Sequence, residues 1–170
     1  MGGGETGKLR QVYIVDTTIL CCLLRIPNYC DDQYMEIEEE LLKIINRSET
    51  LILPIASIIE TGNHIAHIGN GNTRRAVAQK FAQYLKDTAN NEAPWSLTNL
   101  DWSPDDLRKF ADMFPDQAMR QVGFGDMSII DAYEDYIRRA PGVSVRIWST
   151  DEHLLAYRHE APEIGRRIRG

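Results

Sequence analysis

The 170-residue chain lacks several features that would assign it to a class at once. No apolar run approaches the roughly 18 residues that a membrane span needs, and the opening segment MGGGETGKLR lacks the apolar stretch of a signal peptide. Low-complexity tracts and internal repeats are also missing. These absences predict one cytoplasmic globular domain at 11–160, preceded by a flexible leader at 1–10 and followed by a basic tail at 161–170.

Cysteine and positive charge are both scarce. Cys21, Cys22 and Cys30 are odd in number and form no Cys-x-x-Cys pair, which favours packing or loop cysteines in a reducing compartment over a metal-thiolate site. Lysine and arginine number 19 against 25 acidic residues, for a net charge of −6. This balance disfavours non-specific coating of nucleic acid, but it permits a local site whose metal ions offset its own acids.

Strand and helix patterns alternate along the chain. Apolar runs predict three strands: VYIV at 12–15, LILPI at 51–55 and VSVRIW at 143–148. Helices are predicted at 17–25, 33–46, 57–67, 73–89, 103 to about 115, 123–139 and 151–158, with a loop at 90–102. The order predicts an α/β fold, a three-layer α/β/α sandwich around a central, mostly parallel sheet.

Four carboxylates lie near predicted strand ends or helix starts. Asp16 follows the first strand, Glu60 lies in the first turn after the second, Asp126 opens a helix, and Asp151 follows the third strand. The carboxyl ends of parallel strands and the helix starts that follow them share one side of a sheet, so we expect the four to converge. Gathered carboxylates repel one another unless a cation lies between them, and oxygen-only ligands suit magnesium or manganese.

Helix capping is the alternative explanation for each carboxylate taken alone. The segments SIIE at 57–60 and STDE at 149–152 both fit the capping box, in which a serine and a glutamate satisfy backbone amides reciprocally. Asp16 and Asp126 also fit as N-caps or as favourable charges at a helix dipole. Four separate caps, however, have no reason to gather at one edge of one sheet.

The segments that carry these acids resemble the PIN domain family, metal-dependent nucleases that include the VapC-type toxins. The resemblance rests on IVDTTIL, PIASIIE, GDMSIIDAY and RIWSTDEHLL, in that order, and covers residues 12–157. It implies an endoribonuclease in which Asp16, Glu60, Asp126 and Asp151 are catalytic and ligate Mg²⁺ or Mn²⁺. It also implies products with a 5′-phosphate and a 3′-hydroxyl, and a role as a toxin or as a defence or RNA-processing nuclease.

The resemblance extends to side chains around the acids and to partners. Thr18 and Thr150 are implied to hold the carboxylates in register, with helix capping as an equal alternative. Thr18 stands where many members have asparagine or serine, and the 69–122 region is longer than in compact toxins. Besides RNA, an antitoxin protein and a second copy of the chain are the implied partners, with no membrane involved.

Basic and aromatic residues are candidates for RNA contact. Arg74, Arg75 and Arg146 are the predicted phosphate contacts, although surface arginines often form only local ion pairs on a solvent face. Tryptophan rings can stack on bases, which makes Trp95, Trp102 and Trp148 candidates for RNA contact. The alternative is a place in the hydrophobic core, above all for Trp148.

Two other functions remain as alternatives. The first is a non-catalytic PIN-like interaction module in a toxin–antitoxin or regulatory complex, which has no need to concentrate repulsive charge. The second is a zinc site formed by Glu60, His64 and His67 on one helical face. His67 would lie about 10 Å along the helix axis from Glu60, too far for one ion to bind both.

Overall fold

The computed structural model describes residues 10–30, 32–98 and 102–162. Most of the predicted leader at 1–10 and of the basic tail at 161–170 lies outside these ranges. The described residues form one five-stranded sheet from β1 (Gln11–Val15), β2 (Thr50–Leu53), β3 (Ser96–Leu97), β4 (Ser144–Trp148) and β5 (Arg158–His159). The strand order is β3-β2-β1-β4-β5, and every pair is parallel except β4 with β5. The predicted α/β class with a mostly parallel sheet is confirmed.

Seven helices surround the sheet in the described ranges. They are α1 (Thr17–Leu23), α2 (Tyr34–Asn46), α3 (Ile55–Ala66), α4 (Gly71–Ala89), α5 (Pro104–Met119), α6 (Phe124–Arg139) and α7 (Glu152–Leu155). None of them has both the length and the apolar character needed to span a bilayer. The predicted positions of α2, α4 and α6 agree with the structure within about two residues.

The apolar run of β1 is explained by burial on both of its faces. Tyr13 and Val15 pack in one cluster with side chains of α1 and α2, whereas Val12 and Ile14 pack in another with side chains of α6. Because successive residues of a strand point to opposite faces, only a strand covered on both sides needs apolar residues at every position. Each such side chain contributes about 1.5–3 kcal/mol by its burial.

The predicted end of α5 near Pro115 is wrong. The helix begins with a full capping box between Ser103 and Asp106 and continues through Pro115 to Met119. An internal proline removes one backbone hydrogen bond and costs about 3 kcal/mol. Here the helix tolerates it because Phe110 and Phe114 pack in one cluster with Val122, on either side of the proline in sequence.

Two short edge strands were not predicted. β3 lies within the segment predicted as a loop, and β5 begins at Arg158, the last residue of the segment predicted as the last helix. That helix, α7, ends at Leu155, and the chain then returns antiparallel to β4. Both strands have two residues, too few for an alternating pattern to be visible in the sequence.

Cys22 and Cys30 form a disulfide, which contradicts the expectation of packing or loop cysteines in a reducing compartment. The bond joins the end of α1 to the loop that follows it, and Cys21 stays free and buried. A turn between the two residues brings their Cα atoms within 5.0 Å, which the sequence spacing did not reveal. Since disulfides persist mainly in oxidising compartments, cysteine usage no longer supports a reducing one.

Candidate active site

The candidate site lies where the strand order reverses. From β1 the sheet continues to β2 on one side and to β4 on the other. In open α/β sheets this switch point leaves a crevice outside the carboxyl ends of the two central strands. Val15 and Trp148 are register partners at those ends, and the Asp16 N–H donates to the Trp148 carbonyl over 3.0 Å. The residues after both strands therefore meet at this crevice.

Asp16 is held rigidly at the end of β1. Its side chain is 2% exposed, and its Oδ2 accepts from the Thr18 backbone N–H at 3.2 Å, the Thr18 hydroxyl at 2.8 Å and the Ser149 hydroxyl at 2.8 Å. These bonds offset the cost of burying a carboxylate. Asp16 is thus the N-cap of α1, as one alternative predicted, and all three donors converge on a single oxygen.

Ser149 links the two strand ends, a function the sequence did not reveal. Its hydroxyl donates to Asp16 and accepts from the Asp151 backbone N–H at 2.9 Å. Thr150 contributes its backbone N–H, which donates to the Thr18 hydroxyl at 2.9 Å. The predicted capping box at 149–152 is wrong, because the N-cap of α7 is Asp151, whose Oδ1 accepts from the His153 N–H at 2.9 Å.

Glu60 lies in the second turn of α3 and has no capping function. Because α3 already begins at Ile55, Ser57 is inside the helix, and its hydroxyl donates to the Val15 carbonyl at 2.8 Å. The predicted capping box at 57–60 is therefore wrong. The Thr17 hydroxyl donates to Glu60 Oε2 at 3.0 Å, which ties α3 to the start of α1.

Gly125 allows the Glu60 carboxylate to approach the first turn of α6. A Cβ atom added at Gly125 would lie 1.8 Å from Glu60 Oε1. Real Cβ atoms do not come that close to another heavy atom, so any larger residue at this position would displace the carboxylate. Because position 125 is a glycine, the Glu60 carboxylate lies against the residue that directly precedes Asp126.

Asp126 responds to the other three carboxylates. It is the third residue of α6, whose N-cap is Gly123, so Asp126 is not an N-cap. The pKa of Asp126 is raised from 3.8 to about 6, chiefly by burial and then by the negative charges of Asp16, Glu60 and Asp151, while His153 acts in the opposite direction. Asp126 is therefore close enough to each of the other three acids to interact with it electrostatically.

The donor chemistry of this group fits a hard divalent cation, since all four acids offer oxygen ligands. Their arrangement is looser than a closed ligand set. Within residues 10–30, 32–98 and 102–162, no three or more Asp, Glu, His or Cys side chains are grouped so that they would hold a metal ion.

Comparison of the chain with family models, curated proteins and solved structures found no match. The resemblance to PIN nucleases therefore stays a resemblance, carried by the segments quoted above. The chemistry of the site has to be argued from its own residues and their geometry.

The predicted RNA-binding arginines differ in their surroundings. Arg74 donates to the Ile68 carbonyl at 2.9 Å near the start of α4, where Arg75 is exposed to solvent. Arg146 lies within β4, forms an ion pair with Glu40 of α2, and has its guanidinium 4.5 Å from the centroid of the Tyr13 ring. Arg75 is the one of these three for which neither a hydrogen bond nor an ion pair is found within the described part of the chain.

The histidines proposed for zinc have other partners. His64 Nδ1 lies 2.6 Å from the Tyr29 hydroxyl, and His67 Nδ1 lies 2.7 Å from the Asn63 carbonyl oxygen. Both rings are thus engaged within the fold, and the described residues contain no group that would hold zinc through Glu60, His64 and His67.

Proposed function

We propose that the chain is a PIN-like nuclease that hydrolyses phosphodiester bonds of RNA with the help of Mg²⁺ or Mn²⁺. The observations that support the proposal are the close approach of Glu60 to Gly125, directly before Asp126, and the electrostatic interaction of Asp126 with Asp16, Glu60 and Asp151. Capping accounts for Asp16 and Asp151 but not for Glu60 or Asp126. A metal site would account for all four acids together, whereas capping accounts for only two of them.

The residues would divide the work as follows. Asp16, Glu60, Asp126 and Asp151 would hold the cation, which when bound supplies Lewis acidity and lowers the pKa of water. Thr18 and Ser149 hold one oxygen of Asp16, and Thr17 holds one oxygen of Glu60. Fixed carboxylates keep the site ready before substrate arrives, so little reorganisation is needed during the reaction.

The finer description of the fold is part of the same proposal. A three-layer α/β/α sandwich is supported by β1, whose alternate residues pack against α1 and α2 on one face and against α6 on the other. The setting we propose is a toxin or an RNA-processing nuclease in the cytoplasm, with an antitoxin protein as partner in the first case. The Cys22–Cys30 disulfide is the observation that speaks against the cytoplasm.

The test is cleavage of a labelled single-stranded RNA by the full chain in Mg²⁺ or Mn²⁺, compared with EDTA. Asp16→Asn retains an oxygen that can accept from backbone amides, and asparagine caps helices about as well as aspartate, so the fold should persist. We expect this variant to lose cleavage because a neutral amide is a poor ligand for a hard cation. The matched control is Asp112→Asn, an exposed position on α5 that should cleave like the parent.

A parent chain that cleaves in EDTA, or an Asp16→Asn variant that cleaves like the parent, contradicts the proposal. The non-catalytic interaction module is the second candidate, favoured by the absence of a closed ligand set among the described acids. It predicts no cleavage by the parent chain under any metal condition, together with an unchanged melting temperature in millimolar Mn²⁺.

A further inference from the structure

A mostly apolar cleft of about 560 Å³ opens to solvent beside the carboxylates, and one of the four acids forms part of its wall. Glu60 and Gly125 line it together with Ile59, Trp102 and Phe124. We propose that this aromatic cleft holds one unpaired base of a single-stranded RNA next to the bond that is cut. The inference rests on the proposed nuclease function and specifies its substrate as single-stranded.

Exposure separates Trp102 from the other two tryptophans. Trp95 and Trp148 are each 4% exposed and belong to the core, whereas Trp102 is 43% exposed. Phe124, at the start of α6, is also exposed. Proteins that bind single strands present aromatic rings of this kind to solvent, because each base has a face on which such a ring can stack.

The ring of Trp102 is held in a fixed orientation. It packs edge to face against Phe110, with centroids 5.2 Å apart and planes at 68°, and Phe110 is fully buried. Trp102 and Phe124 meet at 67° with centroids 5.9 Å apart. A base inserted between two rings needs parallel planes about 7 Å apart, twice the ~3.4 Å spacing of stacked bases. The base would therefore stack on the open face of one ring.

The cleft also offers a polar group for the edge of a base. Asn63 lines it and lies three residues after Glu60 on α3, so the two share one helical face. The side-chain amide of Asn63 has an NH₂ group that donates and a carbonyl oxygen that accepts, so it can pair with the hydrogen-bonding edge of a base. A neutral aromatic cleft next to a cation-binding group of acids matches a nucleotide, which joins a flat neutral base to a charged phosphate. A base paired within a duplex cannot enter the cleft, because it is already stacked on both faces.

The experiment measures binding of an RNA hexanucleotide that contains 2-aminopurine to the full chain in EDTA at low salt. Repulsion by the acids is the same in every variant, so differences in affinity report the cleft. We expect quenching of the 2-aminopurine by the parent, about tenfold weaker binding by Trp102→Ala, and recovery of most of the affinity in Trp102→Phe. A duplex of the same sequence should bind at least about tenfold more weakly than the single strand.

Two further variants guard against a failure of Trp102→Ala to fold. Ile59→Gln removes an apolar side chain from the cleft without adding charge, and because Ile59 is 58% exposed the variant should fold and should also weaken binding. Met119→Ala removes a large apolar side chain that is 85% exposed at the other end of α5, and it should bind like the parent.

Cleavage in Mg²⁺ separates the two proposals. If the cleft stabilises the bound RNA and the transition state equally, Trp102→Ala raises KM about tenfold and leaves kcat within about twofold. A parent that shows the binding pattern but cleaves no RNA refutes the nuclease and supports the cleft. Equal affinity and KM for the parent and Trp102→Ala overturn the cleft while the nuclease stands. A parent that binds no RNA but forms a dimer that Ile59→Gln separates also overturns it, because the cleft is then a contact between copies of the chain.

Discussion

Replacing Asp126 by asparagine should stabilise the metal-free protein at neutral pH. The rise in the pKa of Asp126 from 3.8 to about 6 means that its charged form is disfavoured in the folded state. At 1.36 kcal/mol per pKa unit the rise corresponds to about 3 kcal/mol. Asp126 is only half-buried, so solvent screening reduces this to about 1–2 kcal/mol. Asparagine also forfeits about 0.3–1 kcal/mol of favourable interaction between the carboxylate and the helix dipole.

The net gain for Asp126→Asn is therefore about 1 kcal/mol, and its pH dependence has a definite sign. An acid whose folded pKa is raised destabilises the fold fully above the folded value and not at all below the unfolded one. The gain should thus be complete above about pH 7, decline between about pH 6 and pH 4, and vanish below that range. For a chain of this size, 1 kcal/mol corresponds to about 2–4 °C in melting temperature.

The assay is thermal unfolding in EDTA at about pH 7.5 and at about pH 4, followed by circular dichroism. Asp112→Asn serves as the control, because Asp112 is exposed on α5 and should change the melting temperature little at either pH. A variant that is less stable than the parent at pH 7.5, or equally stabilised at both pH values, would refute the conclusion that burial and the neighbouring acids disfavour the charged form of Asp126.

Three other perturbations test the site and the disulfide. Gly125→Ala should abolish RNA cleavage and cost about 1–3 kcal/mol in a denaturant titration, because its Cβ would meet Glu60 Oε1. The control Gly123→Ser should do neither, because a Cβ there meets nothing within 4 Å and serine is a favourable N-cap for α6. Millimolar Mn²⁺ should raise the melting temperature of the parent and raise that of Gly125→Ala less, since binding to the folded state stabilises it. Cys22→Ser should lower stability by about 2–3 kcal/mol relative to the oxidised parent. Mass spectrometry under non-reducing conditions should show no free thiol at Cys30 in the parent and a free thiol there in Cys22→Ser.

Features that depend on long, regular patterns were predictable from the sequence. The strand β1 stands out because burial on both faces leaves no polar position in its central residues. Helix α6 stands out because Ile129, Ile130 and Tyr133 recur at helical spacing and pack in one cluster. The position of Asp16 at the carboxyl edge of the sheet was also predictable, since it depends only on the direction of β1.

Features that depend on contacts between distant segments were not predictable. Ser149 looked like a helix cap from its neighbours, yet its hydroxyl contacts Asp16, far away in sequence. Likewise, the sequence pattern around Glu60 suggested a helix start, because nothing local shows that α3 already begins at Ile55. The two capping boxes predicted at 57–60 and 149–152 were wrong for one reason: each motif states only that its groups can pair locally, while the fold gives the serine a partner elsewhere.

The hydrogen bond between Asp16 and Ser149 closes a span of 133 residues. The central strand β1 emerges early from the ribosome, but its neighbour β4 follows only after almost all of the other elements have been synthesised. Contacts of such high sequence separation form late in folding, because the entropy of closing a long loop is lost before the contacts themselves stabilise the chain. A nascent chain that ends before β4 therefore has no assembled acid group, so any cleavage activity begins only when synthesis of the domain is nearly complete.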